Sequence, residues 1–538
     1  MSKIKTILSQ LSPASRYAVL ILPIFISWAY RVISPAYWST TDPALWFFLD
    51  SLAIFDGKTY VFVDHPGIPV QLAGSLLLAI TLFFFENKNE FINYYIAQPE
   101  TFFQIVNTFQ LLLNIGTLVI FYNIVKNYIT EHKTLAALAL PWMFYAIHPR
   151  SLSTLATWSH NSFNILGALW LLLLYKEMRN DFYSNRRKQI FFGIAAGALA
   201  MIQLYLISWI FTGILIIFLH NLQAKQTIWA TVKDGGFFIS GSIISIILTI
   251  TLIYNEIPRM IRWFITLASY DGPYGTGTKS IYSFELLSTS IQFWLEDLFL
   301  LYIVFAISLL LLGLGIYFLR GNAQQELSSI NFSFGIGLLF HLILQFLLLS
   351  KMYYFSRYTL SLMAILTIFT VISIIIVEMR PAAPLVSRIK QAVYGLIIIS
   401  MFFSLARQLE QHNKNYRFEM EVAVARSVLA NTLAQNRGIE KNEVAFVYYE
   451  IVPTKCAGLL VADNSIKAFP EQISALCPNQ YAINNLENLS QIDWDVLAIL
   501  PIYQSDTIIE HLEALGAKRI PNSWGINRSE IFFINENK

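Results

Sequence analysis

Long apolar segments separated by short polar loops fill the first three quarters of the chain. A helix needs about 20 mostly apolar residues to cross a bilayer. Segments of this kind occur at Tyr17–Ile33, Ile68–Phe85, Phe102–Val125, Leu135–Ile147, Phe163–Tyr175, Phe191–Leu219, Phe237–Tyr254, Phe299–Leu319, Phe332–Leu349, Tyr358–Val377 and Ala392–Leu405. Since Phe191–Leu219 is long enough for two short helices, the pattern predicts about 11 or 12 transmembrane helices.

Composition agrees with this interpretation. Of the 538 residues, 56% are hydrophobic and only 13% are charged, whereas soluble proteins carry roughly 25% charged residues. From Ala406 onward the charged fraction rises to about 21%, against about 11% before it. We therefore predict an all-α polytopic membrane domain over residues 1–405 and a small soluble α/β domain over residues 406–538.

The soluble part alternates short β-type runs with helical stretches. The predicted strands are Val444–Tyr449, Gly458–Val461, Val496–Leu500 and Ile531–Ile534, and Asp506–Leu515 is predicted as a helix. Both cysteines, Cys456 and Cys477, lie in this part. Their spacing permits a disulfide if the domain is outside the cytoplasm, and two reduced core thiols are the alternative.

Lysine and arginine in short loops predict the orientation. The clusters Lys176–Lys188 and Arg380–Lys390 are assigned to the cytoplasm. Counting helices from them places five parts of the chain outside, provided that Ile68–Phe85 is re-entrant or lies along the membrane surface. These parts are Ser34–Gly67, His148–Asn161, Asn255–Trp294, Lys351–Arg357 and the C-terminal domain. The net charge of +3 is too small and dispersed to indicate a nucleic-acid partner.

The first outer loop, residues 34–67, contains the candidate catalytic carboxylate. Asp42 precedes Pro43, and this pair is typical of a helix start with Asp42 as the N-cap. The aromatic residues Trp46, Phe47 and Phe48 follow, and we expect them to press an amphipathic helix against the bilayer. Asp42 would then lie close to the headgroups, where a general base acting on a lipid-borne substrate is needed.

These features resemble the polyprenyl-phosphate-dependent membrane glycosyltransferases of the C-type (GT-C) fold, which include protein O-mannosyltransferases and the aminoarabinose transferases of lipid A. Asp42 takes the place of that family's catalytic aspartate. The sequence Asp64-His65-Pro66-Gly67 resembles its His-Pro motif, and Lys351 to Tyr358 resembles its late outer loop with Arg-Tyr at residues 357 and 358.

The chain also departs from the family pattern. Pro43 stands where the family usually has a second acidic residue. Ser159-His160-Asn161 occupies the segment where another outer acid is expected, and Gln203 replaces a lysine of the middle spans.

A phosphate-bearing donor needs positive charge at the outer face. The candidates are Arg150, Lys351 and Arg357, because lysine and arginine bind phosphate and arginine can do so with two hydrogen bonds. Interfacial anchoring is the alternative role for each of them.

Asp64, His65 and His160 are further substrate-binding candidates. Together with Asp42, the two histidines could gather a divalent ion such as zinc or manganese. A lone histidine beside an apolar helix is also typical of a hydrogen-bonded core residue. The metal is therefore unknown, and the reaction itself requires no cofactor.

The glycine-rich segment Tyr270–Lys279 has the spacing of a phosphate-binding loop, but Thr278 stands where that motif requires lysine and no strand precedes it. We interpret it as an outer loop that closes over the substrate. Its residues Tyr270 and Tyr274 are candidates for stacking on a sugar.

Taken with the resemblance, the sequence indicates an enzyme, a hexosyl or pentosyl transferase. It would move a sugar from a polyprenyl-phosphate donor to a hydroxyl or amine of a glycan, lipid or protein acceptor, with inversion, at the periplasmic face of a bacterial inner membrane. Two alternatives stay open, a non-catalytic assembly subunit and a transporter or flippase. The few polar residues in central positions, Gln203, His341 and Gln345, which a transporter could use, are explained equally well by hydrogen bonds between helices.

Overall fold

The computed structural model describes residues 12–35, 44–58, 63, 67–148, 151–180, 182–183, 185–269, 284–319, 325–350, 359–378, 384–437, 444–449, 455–483, 488–489, 496–501, 506–514, 516, 518–520 and 531–535. The helices are α1 Pro13–Ile33, α2 Ala44–Phe55, α3 Ile68–Thr81, α4 Lys88–Ala97, α5 Pro99–Tyr128, α6 Lys133–Ala146, α7 Ser151–Leu155, α8 Asn164–Met178, α9 Arg186–Ile202, α10 Ser208–Gln223, α11 Ile228–Leu252, α12 Ile257–Ser269, α13 Phe284–Asp297, α14 Phe299–Leu319, α15 Gln325–Ser350, α16 Leu360–Glu378, α17 Pro384–Arg437, α18 Lys455–Ile466, α19 Pro470–Leu476 and α20 Asp506–Ala514. The strands are β1 Ala445–Tyr449, β2 Gln480–Ile483, β3 Val496–Pro501, β4 Lys518–Ile520 and β5 Ile531–Asn535.

The prediction of an all-α membrane protein with a small α/β domain is confirmed. Within the described ranges, 7 helices are long and apolar enough to cross a membrane. The bent pair Ile68–Phe84 and Lys88–Ala97, which turns by 115°, is either a broken span or a re-entrant loop. Phe191–Leu219 contains two helices, α9 and α10, as the sequence predicted.

Two compact units make up the chain. The first contains Met1–Arg31, Val63–Leu72 and Val106–Gln408, and the second contains Val32–Phe62, Ala73–Ile105 and Leu409–Lys538. The predicted domain boundary at residue 405 lies inside helix α17. Within this helix, the first unit ends at Gln408 and the second unit resumes at Leu409. The second unit also takes up most of the first outer loop, which the domain prediction assigned to the membrane part.

Contacts place both basic clusters at one end of the first unit. The guanidinium of Arg179 lies 4.5 Å from the ring centroid of Tyr128, the last residue of α5. The backbone nitrogen of Thr130, two residues further on, donates to Glu378 over 3.2 Å. Lys390 pairs with Glu378, its ammonium nitrogen 2.6 Å from the carboxylate. We call this the basic end of the bundle.

Small residues allow α9 and α11 to pack backbone against backbone. A Cβ at Gly193 would lie 2.0 Å from the carbonyl oxygen of Phe238, and one at Gly197 would lie 2.5 Å from that of Ser242. On α11, a Cβ at Gly241 would lie 2.1 Å from the carbonyl oxygen of Ile190. Close approach through glycine is typical of helix pairs in membranes, where dispersion contacts replace the hydrophobic effect as the attraction between helices.

Gly241→Ala is expected to lower stability by about 1 to 3 kcal/mol, because the added methyl group forces the two backbones apart. The matched control is Gly236→Ala on the same helix, where an added Cβ meets nothing within 4 Å among the described residues. Alanine favours a helix over glycine by about 0.5 to 1 kcal/mol, so the control should be neutral or stabilised. Thermal unfolding in detergent measures both, and equal melting temperatures for the two variants would contradict the packing argument.

The second unit contains a five-stranded sheet in the order β2-β1-β3-β5-β4. β1 pairs in parallel with β2 and β3, and β5 pairs antiparallel with β3 and β4. The predicted strand Gly458–Val461 was wrong, because these residues belong to α18. It is a helix of 12 residues in which the apolar residues Ala457, Leu459, Val461, Ala462 and Ile466 are buried. A short apolar run cannot by itself distinguish the two structures.

Cys456 and Cys477 are joined by a disulfide. The bond connects the start of α18 to the residue after α19. Of the two alternatives that the sequence left open, the disulfide is therefore the one present.

Candidate active site

The break between α9 and α10 is the point at which three segments of the first unit meet, each of which the sequence analysis predicted to lie outside or directly follows a segment predicted to do so. Helix α9 ends at Ile202, Gln203 is extended at φ −156° and ψ 132°, and a 3-10 turn, Leu204–Ile207, leads into α10 at Ser208. A break frees backbone groups that must find other partners when they are buried. We refer to Ile202–Ser208 as the α9/α10 break.

The first segment to reach the break is the end of the Asp64-His65-Pro66-Gly67 motif. The backbone nitrogen of Gly67 donates to the carbonyl oxygen of Ile202 over 3.1 Å. Gly67 has a positive φ of 51°, a conformation that favours glycine. Its own carbonyl accepts from Val70 at 2.8 Å and from Gln71 at 3.1 Å and so begins α3.

The second segment is Ser159-His160-Asn161. His160 and Asn161 begin the 3-10 helix His160–Phe163, which Ser159 and Ser162 cap reciprocally. The side-chain amide of Gln203 donates to Asn161 Oδ1 over 3.3 Å. His160, the neighbour of Asn161, is completely buried. Gln203, which replaces the lysine of the resembled family, thus connects this segment to the break.

Three buried amides on α5 hold the irregular backbone around this segment. Asn107 Oδ1 accepts from the Trp158 backbone nitrogen at 2.8 Å, and Gln110 donates to the Ser162 carbonyl oxygen at 3.3 Å. Asn114 donates to the Leu155 carbonyl oxygen at 2.9 Å. The role of these amides was not predicted from the sequence. Their spacing of three and four residues on one face of an apolar helix was the available signal.

The third segment is the start of α16, directly after the Lys351–Tyr358 motif. Ser361 Oγ donates to Gln345 Oε1 over 3.2 Å, and the amide nitrogen of Gln345 donates to Ser208 Oγ. His341 Nε2 lies 2.9 Å from the same hydroxyl. The interpretation of Gln203, His341 and Gln345 as residues that form hydrogen bonds between helices is therefore confirmed.

Among the predicted site residues, only His160 lies within the described ranges. Asp42, Asp64, His65, Arg150, Tyr270, Tyr274, Lys351 and Arg357 lie outside them, and their roles stay predictions. The described residues contain no group of three histidine, cysteine, aspartate or glutamate side chains that could hold a metal ion. A divalent site therefore stays a hypothesis that depends on His65 and Asp42.

The predicted contact of α2 with the bilayer was wrong. Trp46 is only 8% exposed, and Phe47 and Phe48 are not exposed at all. The Phe48 ring lies 4.9 Å from the ring of Phe102, and α2 packs on α18. The helix is buried on all sides within the second unit, and its polar residues Asp50 and Ser51 are buried with the aromatic ones.

The turn that follows α2 forms contacts with the C-terminal domain. The Lys58 ammonium donates to the carbonyl oxygen of Ala468 over 2.7 Å and lies 4.3 Å from the ring centroid of Phe469. Asp56 pairs with Lys58 at 3.1 Å and with Lys88 at 2.8 Å. Desolvation alone would raise the pKa of Asp56, but the hydrogen bonds and charges of the two lysines outweigh it and lower the pKa. The helix that follows Asp42 is therefore fixed at its far end.

Comparison with known proteins adds one structural likeness. No family model and no curated protein matches the sequence. Among solved structures, the chain is similar to the crystal structure of ArnT from Cupriavidus metallidurans bound to undecaprenyl phosphate. The two chains share 10% identity with a TM-score of 0.48, and the alignment covers 97% of each.

Proposed function

We propose that the protein is an integral-membrane glycosyltransferase that uses a polyprenyl-phosphate sugar donor at the outer face of a bacterial inner membrane. The observation that carries the proposal is the convergence of three outer segments on the α9/α10 break. Gly67 and Asn161 reach it by direct hydrogen bonds, and Ser361 reaches it through Gln345. Each of these residues belongs to, or directly follows, a segment that the sequence singled out for chemistry.

In the proposed reaction, Asp42 takes the proton from an acceptor hydroxyl or amine. The freed lone pair attacks the anomeric carbon, and the bond from that carbon to the phosphate oxygen breaks. The polyprenyl phosphate leaves with the bonding electrons, and the configuration at the carbon inverts. Arg357, with Lys351 or Arg150, stabilises the charge on the leaving phosphate.

The disulfide between Cys456 and Cys477 supports an extracytoplasmic position for the second unit, since such bonds persist in oxidising compartments. The packing of α2 on α18 joins the loop after Asp42 to the α/β domain. We infer that this domain helps to select the acceptor.

The direct test is transfer of labelled sugar from polyprenyl-phosphate donors by the purified full-length protein in liposomes, with and without EDTA. Transfer supports the proposal, and sensitivity to EDTA would make His65 and His160 metal-ligand candidates. Absence of transfer from every hexosyl and pentosyl donor tried would favour the assembly-subunit alternative.

Gly67→Ala is expected to reduce transfer about tenfold, because a side chain disfavours the positive φ that aims the Gly67 nitrogen at Ile202. Gly57→Ala is the matched control. Gly57 also has a positive φ, 80°, and an added Cβ there meets nothing within 4 Å among the described residues. Both variants should lose about 1 kcal/mol of stability, and only Gly67→Ala should lose transfer at equal folded amount. Equal transfer by the two variants would contradict the role of the α9/α10 break.

A further inference from the structure

A groove between α5 and α8 opens at the basic end of the first unit. Its lining consists of Ile120, Asn123, Ile124, Asn127, Tyr128, Leu173 and Lys176, and its cavity volume is about 220 Å³. The five residues from α5 follow a spacing of three and four, so they share one face of that helix. Neither the predicted site nor the α9/α10 break uses any of these residues.

The groove is apolar along the helices and polar at its mouth. Ile120 is 39% exposed and Leu173 is half-buried, so both present apolar surface to the groove. At the mouth, Asn127 is exposed and Tyr128, the last residue of α5, is half-buried. Lys176 of α8 is exposed there as well. An apolar channel that ends in amide, phenol and ammonium groups matches an acyl chain joined to a polar headgroup.

Charge at the mouth selects the headgroup. No carboxylate lies within ion-pair distance of Lys176 in the described part of the chain. Glu177, the neighbour of Lys176, is held by Lys188 with a nitrogen-to-oxygen distance of 2.6 Å. The guanidinium of Arg179 lies over the Tyr128 ring and adds to the positive field. Among the described residues, Lys176 therefore lies at the mouth without a carboxylate paired to it, and the nearby Glu177 is neutralised by Lys188.

We propose that this groove binds a glycerophospholipid with an anionic headgroup, with one acyl chain along Ile120, Ile124 and Leu173 and the phosphate at Lys176. The leaflet facing the cytoplasm carries anionic lipids, and their surface potential attracts nearby basic residues. The proposal rests on charge complementarity and on the position of the groove between membrane helices. It does not depend on the proposed glycosyltransferase activity.

The test measures apparent dissociation constants of dioleoyl-phosphatidylglycerol and dioleoyl-phosphatidylcholine for the full-length protein in detergent by native mass spectrometry. Wild type is expected to bind phosphatidylglycerol about fivefold or more tightly than phosphatidylcholine. Lys176→Gln should weaken phosphatidylglycerol about fivefold and phosphatidylcholine less, because the choline cation already offsets the phosphate of phosphatidylcholine. Leu173→Trp should weaken both lipids, because the larger side chain fills the apolar channel.

Lys233→Gln is the matched control, since Lys233 is an exposed lysine of α11 that does not line the groove. It should leave both affinities unchanged. Equal affinity of wild type for the two lipids, or the same loss in Lys233→Gln as in Lys176→Gln, would overturn the proposal. Competition by millimolar inorganic phosphate would also overturn it, since the site would then bind a free anion without using the acyl chain.

Discussion

Asp42→Asn is expected to lower sugar transfer about 10²- to 10⁴-fold, the range that a positioned general base contributes. Asparagine keeps the size and the N-cap acceptor of aspartate but cannot take a proton from the acceptor. Folding should therefore be preserved while the chemical step is lost. Transfer from the labelled donor, at equal amounts of folded protein, measures the effect.

Asp56→Asn is the control for Asp42→Asn, because Asp56 lies in the same outer loop and its carboxylate is already occupied by Lys58 and Lys88. Both lysines are nearly half-exposed, and exposed ion pairs contribute little. This variant should transfer at the wild-type rate. Wild-type transfer by Asp42→Asn would remove the base from the first outer loop and leave the mechanism without its acid-base residue.

Lys390→Met is expected to destabilise the protein by about 3 to 5 kcal/mol, the cost of removing one partner from a buried ion pair. Lys390 is completely buried, and its ammonium contacts the carboxylates of both Glu131 and Glu378. Ser387 donates to Glu131 as well. Without the lysine, the two carboxylates lose the ammonium that both contact, and only His132, 3.3 Å from Glu131, remains beside one of them. Thermal unfolding in detergent should show a large fall in melting temperature.

Arg388→Met is the control for Lys390→Met. Arg388 lies two residues away on the same helix and is exposed, so its loss should change stability by less than about 0.5 kcal/mol. Equal melting temperatures for the two variants would show that the Lys390 cluster does not stabilise the bundle.

Acid should narrow the stability difference between Lys390→Met and wild type. Desolvation raises the pKa of Glu131, but hydrogen bonds from Lys390 and Ser387 and the lysine charge outweigh it and hold the pKa below its ordinary value of 4.5. The pairing thus stabilises wild type above about pH 4.5 and is lost as the pH falls through the folded value. In the variant the unpaired carboxylates protonate more readily. The loss of unfolding free energy relative to wild type should therefore be larger at pH 8 than at pH 5. A deficit independent of pH would contradict this electrostatic explanation.

Helices that correspond to long, continuous apolar runs were predicted well from the sequence. The spans near Phe299–Leu319 and Tyr358–Val377 appear as α14 and α16 because continuous apolar runs of this length have few alternatives to a membrane helix. The amides of α5 were missed because an isolated asparagine or glutamine in an apolar helix does not reveal its partner. Asn107, Gln110 and Asn114 acquire their role only from the irregular backbone 41 to 52 residues away in sequence.

The environment of α2 could not be predicted from its local sequence. Aromatic residues after a helix start are equally suited to a bilayer surface and to a protein interior, since both are apolar. The choice depended on Phe102, on α18 and on the domain that follows α17, all distant in sequence.

By itself, the sequence determined the membrane class, the small α/β domain and the segments in which chemistry is expected, because hydrophobicity, charge and motif spacing are local properties. Tertiary structure decided that Gly67, Asn161 and, through Gln345, Ser361 meet at the α9/α10 break, that α2 is enclosed in protein, and that Cys456 and Cys477 are joined. Each of these features depends on contacts between buried polar groups or apolar faces that are distant in sequence. Such contacts form only when the helices pack.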